Sequence, residues 1–113
     1  MANSIIKGPS PITLTLNTNG SNKYNIAAQD IYKQGRAFFF NVRLTAKASV
    51  SAGELSIGST DLAPNFSISG VLIKTSDSSI VGSWLWSSTN GTVYINPSSA
   101  LSTGQSITMS GGA

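Results

Sequence analysis

Three aromatic residues in the second half of the chain have the spacing of a carbohydrate-binding platform. Trp84 and Trp86 are two residues apart, so in a strand they lie on the same face. A hairpin turn at Asn90-Gly91 then brings Tyr94 and Asn96 back beside them. The apolar face of a pyranose packs on an aromatic ring, while Asn, Ser and Thr hydrogen-bond its hydroxyls. We therefore expect Trp84, Trp86, Tyr94 and Asn96 to bind saccharide.

Burial is the alternative interpretation of the two tryptophans. Large aromatic side chains in folded proteins are usually mostly buried. In this alternative, one ring lies in the core and the other lies in a subunit interface.

Two further groups of residues are candidates for contacts with a partner. Phe39 lies between Phe38 and Phe40, so in a strand it faces away from both; we expect it in an interface. A sandwich strand that buries both faces is the alternative. Arg43 and Lys47, together with Arg36, are candidates for contacts with phosphate groups, because a guanidinium fits phosphate. The alternative for these cations is a solvated polar strand face.

The amino-acid types that are absent argue against catalysis and against metals. The chain of 113 residues has no cysteine and no histidine, which excludes thiolate or imidazole ligands and His-dependent nucleophiles. A glycosidase needs a pair of carboxylates, but all four here are in turn-like contexts, where Asp is common anyway. No calcium-loop spacing is present either. We expect no enzyme, no cofactor and no metal site. The four acidic residues are Asp30, Glu54, Asp61 and Asp77.

Charge and hydropathy also limit the kinds of partner that we expect. Charged residues make up 10% of the chain and the net charge is +3, whereas Ser, Thr and Asn together number 39. The basic residues form no run, so we expect no nucleic acid partner. No apolar stretch approaches the length of a membrane span, and the N-terminus lacks the pattern of a secretory signal. We expect no membrane insertion.

The residues that position these candidates alternate between apolar and polar almost throughout. The clearest case is residues 37–50, where the apolar side chains from Phe38 to Val50 fall on one face. Shorter segments of the same kind begin at Ile12, Lys23, Glu54, Phe66, Ile80, Thr92 and Gln105. Turn residues at 17–22 and at 89–91 separate some of them, and residues 29–35 favour a single helical turn.

This pattern predicts an all-β fold, a jelly-roll-like sandwich or barrel of about eight antiparallel strands. We expect residues 1–11, with two prolines, to be a linker or N-terminal arm, and residues 12–113 to be a single β domain. The last residues, 110–113, are expected to be a frayed end or an incomplete strand.

The order of segments from Gly35 to Gly112 resembles a known family. A long aromatic strand, residues 35–44, leads to a turn at Ala52-Gly53 and then to Leu62-Ala-Pro-Asn-Phe66. A hairpin at residues 90–95 and a final strand at residues 101–110 follow. This order is similar to the C-terminal head or carbohydrate-binding domains of tail-tip and baseplate proteins in phages and prophages of Gram-positive bacteria. Ser67-Ile68 stands where that family usually has Arg-Pro.

The resemblance implies a non-catalytic receptor-binding head. Such a head is a homotrimeric jelly roll that adheres to host cell-wall saccharide, contacts other tail or baseplate proteins and resides in the virion after synthesis in the host cytoplasm. The alternative within the same setting is a structural assembly or decoration domain that contacts only protein. A small glycan hydrolase is the third and least favoured hypothesis.

Overall fold

The computed structural model describes residues 9–113, which form nine β-strands and one short helix. The chain order is β1 (Ser10–Ile12), β2 (Leu14–Leu16), α1 (Thr18–Lys23), β3 (Tyr24–Gln34), β4 (Ala37–Ala46), β5 (Leu55–Thr60), β6 (Ile68–Lys74), β7 (Ile80–Trp86), β8 (Thr92–Pro97) and β9 (Ser106–Gly112).

All nine strands belong to one antiparallel sheet in the order β1-β3-β4-β9-β6-β7-β8-β5-β2. β1 and β2 occupy the two edges, yet only Thr13 separates them in the chain. The sheet therefore nearly closes on itself around a single core. The predicted all-β sandwich or barrel of about eight antiparallel strands is confirmed, and the count reaches nine because the first strand divides at Thr13.

β4 pairs with β3 on one side and with β9 on the other, and it follows the predicted alternation. Phe38, Phe40, Val42 and Leu44 are buried, while the residues between them are exposed or half-buried. The strand ends at Ala46, four residues before the predicted end, because the pairing with β3 stops there. Val50 instead forms an isolated bridge with Leu101.

Two local predictions between residues 17 and 35 are wrong. The predicted turn contains α1, which begins because the Asn17 side chain accepts a hydrogen bond of 2.7 Å from the Gly20 N–H. Gly20 is buried so closely against the Ile57 backbone that a Cβ there would clash with the Ile57 carbonyl. The predicted helical turn at residues 29–35 is strand instead, because β3 pairs with β4 through to Gln34. Tertiary pairing here overrides local sequence preference.

The predicted ends of the domain also need correction. Ser10 and Pro11 belong to β1, which pairs with β3, so the sheet begins within the segment predicted as an arm. Residues 1–8 of that arm lie outside the described residues. At the other end, β9 runs on to Gly112, and Ala113 exchanges two backbone hydrogen bonds with Phe38, so the predicted fraying is wrong.

The hairpin between β7 and β8 turns where the sequence predicts. Asn90 and Gly91 both have positive φ, 58° and 66°, as a type I′ turn requires. β7 and β8 pair from Trp86 opposite Val93 to Gly82 opposite Pro97. Tyr94 and Asn96 are consequently held on the strand beside the tryptophans.

Candidate functional site

Both tryptophans of the predicted platform lie in the core. Trp84 is 2% exposed and Trp86 is 0% exposed. The Phe40 ring stacks on Trp84 with 4.7 Å between ring centroids, and it lies 5.2 Å from Trp86. The prediction that these two rings stack on saccharide is wrong for this structure. They do share one face of β7, but that face points inward.

The surroundings of each indole N–H show how closely the ring is packed. Trp86 Nε1 donates a hydrogen bond of 2.9 Å to Thr60 Oγ1. Trp84 Nε1 has no partner among the described residues and lies 2.8 Å from the place where a Cβ of Gly70 would be. The far edge of the Trp84 ring lies 3.0 Å from the place where a Cβ of Gly111 would be. Two glycines therefore make room for Trp84 against the inner surface of the sheet.

The outer surface of the same strands carries a polar groove. Ser69, Leu85 and Tyr94 lie opposite one another across β6, β7 and β8, and Ser83 lies opposite Asn96 in the next row. The Ser and Asn side chains are exposed, while Leu85 and Tyr94 are half-buried. We call this surface the outer groove. It brings together Tyr94 and Asn96 of the predicted saccharide site, and the buried Trp84 also lines it.

The outer groove is large enough for a sugar. Its volume is about 330 Å³, and exposed Glu54 completes its wall. Glu54 offers a carboxylate acceptor, Asn96 an amide donor and acceptor, and Ser69 and Ser83 hydroxyls that do both. Tyr94 adds a partly accessible ring. This mixture of one aromatic face and several short polar side chains matches the surface of a pyranose.

The outward orientation predicted for Phe39 is present, and a tyrosine accompanies it. The Phe39 ring stacks on Tyr32, its partner on β3, with 4.8 Å between centroids. Both side chains are half-buried on the outer surface of the sheet. Tyr32 was missed at the sequence level because residues 29–35 favoured a helical turn. The role of Phe39 in an interface stays a prediction.

Polar residues lie beside this aromatic pair. Asp30, Asn41 and Ser110 follow one another across β3, β4 and β9, and the Ser110 hydroxyl hydrogen-bonds Asn41 Oδ1. Arg43 is exposed one row further along β4, whereas Lys47 is exposed beyond the end of that strand. Their contact with phosphate stays a prediction.

Two of the four carboxylates have local structural partners. Asp61 Oδ1 accepts a hydrogen bond of 2.9 Å from the Thr13 N–H, at the break between β1 and β2. Asp77 accepts hydrogen bonds from the Ser79 hydroxyl and backbone N–H, and these hold the pKa of its carboxyl below the usual value. Lys74 lies 3.8 Å from the same carboxyl group. The Asp77 contacts stabilise the turn in which it lies, whereas the Asp61 contact joins the loop after β5 to Thr13.

Within residues 9–113, no three acidic, His or Cys side chains lie close enough together to hold a metal ion. No helix in that part of the chain has the length and hydropathy to cross a membrane.

Comparisons with protein-family models, with curated proteins and with solved structures found no match to this chain. The geometry of the outer groove therefore carries the functional argument.

Proposed function

We propose that this protein is a non-catalytic saccharide-binding domain whose binding site is the outer groove. The observation that carries the proposal is that Tyr94 and Asn96 share a polar concave surface with Ser69, Ser83 and Glu54. Sugar sites of this kind hold the ring by one aromatic contact and orient it by hydrogen bonds.

In this proposal each side chain has a role. Tyr94 contacts the apolar face of the sugar, and Asn96 and Ser83, which lie opposite each other, hydrogen-bond neighbouring hydroxyls. Glu54 accepts a hydrogen bond from a further hydroxyl. The saccharide makes no covalent bond and is not cleaved, because the groove has a single carboxylate and hydrolysis of a glycosidic bond uses a pair.

The biological setting that we propose follows from the resemblance to phage head domains. The protein would serve as a receptor-binding head at a phage tail tip or baseplate and adhere to host cell-wall saccharide. A homotrimer would present three grooves, and linked weak sites bind a surface far more tightly than one site does. Other tail or baseplate proteins would hold the trimer in the virion.

A structural assembly domain is the second candidate, and the stacked pair Tyr32 and Phe39 favours it. Large half-exposed aromatic side chains on an outer sheet surface are typical of protein interfaces. Ile80, which is 67% exposed, adds apolar surface on β7. In this function the domain contacts only protein.

A glycan array tests the proposed function. The parent protein should bind a subset of bacterial cell-wall saccharides, and the variants Tyr94→Ala and Asn96→Ala should lose that binding while remaining folded. Asn25→Ala is the matched control, because Asn25 is also an exposed strand asparagine but lies on β3. Binding that survives both groove substitutions contradicts the proposal.

A further inference from the structure

β6 and β9 are adjacent strands whose pairing covers only part of their length. Each has seven residues, yet the pairs run only from Lys74 opposite Ile107 to Leu72 opposite Met109. Among residues 9–113, residues 68–70 pair with β7 alone, and residues 110–112 pair with β4 alone. Within this part of the chain, each segment therefore has an edge without a strand partner. An unpaired strand edge is a template for another extended chain.

A groove lies at this open end of the β6–β9 pair. Its volume is about 470 Å³, and its apolar lining includes Phe38 and Ile68, both core residues. Phe66 forms a wall and is 79% exposed, the largest exposed fraction among the large apolar side chains of residues 9–113. We call this site the seam groove. Arg36, Asn65 and Ala113 complete its lining.

Two cationic side chains lie at the seam groove. Arg36 lines it, and the Lys33 ammonium lies 5.5 Å from the centre of the Phe38 ring. Within the described part of the chain, Lys74 and Asp77 form the one ion pair closer than 4.0 Å. Neither Arg36 nor Lys33 therefore has a carboxylate partner there. An acidic side chain on a ligand would supply that partner.

Trp84 lies directly beneath the open end. Its ring is fitted between Gly70 of β6 and Gly111 of β9. If the pairing continued beyond Leu72 and Met109, Gly70 and Gly111 would form the second additional pair. The buried Nε1 donor of Trp84 has no acceptor among residues 9–113. The indole is therefore positioned to report by fluorescence any chain that approaches these edges.

We propose that the seam groove binds an extended acidic peptide segment of a partner protein by strand addition. The peptide backbone hydrogen-bonds the free edge of residues 68–70 or 110–112, and its alternate apolar side chains contact Phe66 and Ile68. An acidic residue of the peptide pairs with Arg36, which lines the groove. The unpaired edges favour a peptide over a saccharide here, because they select an extended backbone.

This site is separate from the outer groove, and its test does not depend on sugar binding. Selection from a random-peptide library on the intact protein should enrich peptides that alternate apolar residues and carry an acidic residue. Hydrogen exchange of the amides in residues 68–70 or 110–112 should slow when a selected peptide is bound, and tryptophan fluorescence should change.

Matched variants make the test specific. Arg36→Glu and Phe66→Ser should each weaken binding of the selected peptide by about tenfold or more, the usual effect of removing a central contact. Arg43→Glu and Ile80→Ser are the controls, because both residues are exposed outside the seam groove. They should leave the affinity unchanged.

Three results would overturn the proposal. The first is a selection that enriches no acidic peptide, and the second is equal binding to the parent and to Arg36→Glu. The third is a dimer in light scattering that Phe66→Ser dissociates and that excludes the selected peptide, since a second copy of the chain would then occupy the groove.

Discussion

Trp86 Nε1 donates a hydrogen bond to Thr60 Oγ1 across 2.9 Å, deep between β7 and β5. The same hydroxyl donates to the Leu62 carbonyl at 2.8 Å, with the Gly91 carbonyl further away at 3.3 Å. Thr60 is thus the polar partner that allows a tryptophan to be fully buried. The contact links the loop after β5 to the β7–β8 hairpin.

Replacing Thr60 with valine should destabilise the fold through this contact. Thr60→Val keeps the shape but leaves the Trp86 N–H buried without an acceptor, which costs about 1–3 kcal/mol. Thr60→Ser retains the hydroxyl and should cost only about 1 kcal/mol for the lost methyl group. Urea unfolding monitored by tryptophan fluorescence measures both. Equal free energies of unfolding for the parent and Thr60→Val would contradict the role of the hydroxyl.

Gly70 should be intolerant of a side chain because of Trp84. A Cβ there would lie 2.8 Å from Trp84 Nε1, so Gly70→Ala must displace the indole ring, at a cost of about 1–3 kcal/mol. In a Trp84→Phe background the clashing atoms are absent, and the same substitution should cost much less. A double-mutant cycle of unfolding free energies measures this coupling. Strict additivity of the two substitutions would show that the contact does not matter.

Tyr24 should make stability fall at high pH. Desolvation by burial raises its pKa to about 12, against about 10 for a free tyrosine. Well below pH 10 the phenol is protonated in both states, and its full contribution is present. As the pH rises from about 10 to about 12, the unfolded chain ionises first, and the free energy of unfolding falls by up to about 1.4 kcal/mol per pH unit.

Tyr24→Phe is the control for this effect. Phenylalanine cannot ionise, so its unfolding free energy should depend less on pH between 10 and 12, while lysine titration affects both proteins alike. Denaturant unfolding at several pH values measures the difference. Parallel pH profiles for parent and variant would contradict the assignment.

Tyr32 and Phe39 should mediate self-association if the protein is a trimeric head. Light scattering of the parent should then give three times the chain mass, and Phe39→Ser should lower it towards that of a monomer. Val71→Ser is a suitable control, since Val71 is 46% exposed on β6. A parent that is monomeric at micromolar concentration would remove this support for a trimer.

The alternation of apolar and polar residues predicts much of this fold, because side chains of a strand alternate regardless of what the strand packs against. It correctly places Phe38 and Phe40 on one face of β4 and Phe39 on the other. It also groups Trp84 with Trp86, but alternation alone does not decide which face of β7 points inward. The core decides that question, because Phe40 on β4 packs against both indoles.

Other features depend on which strands pair and in which register. Residues 29–34 become strand because they pair with β4, and Tyr32 gains its stacking partner only through that register. The outer groove likewise requires β6, β7 and β8 to be neighbours, which places Ser69 and Tyr94 along the same groove. Within the predicted site, Tyr94 and Asn96 could be found from the hairpin turn, whereas Glu54 and the serines could not.

The most direct test of the central claim is an NMR titration of the ¹⁵N-labelled protein with a saccharide selected on a glycan array. Saccharide binding at the outer groove predicts saturable shifts of the amides of Ser83, Tyr94 and Asn96, and their loss in Tyr94→Ala. Shifts confined to the surface around Tyr32 and Phe39, or unchanged affinity in Tyr94→Ala, would contradict it.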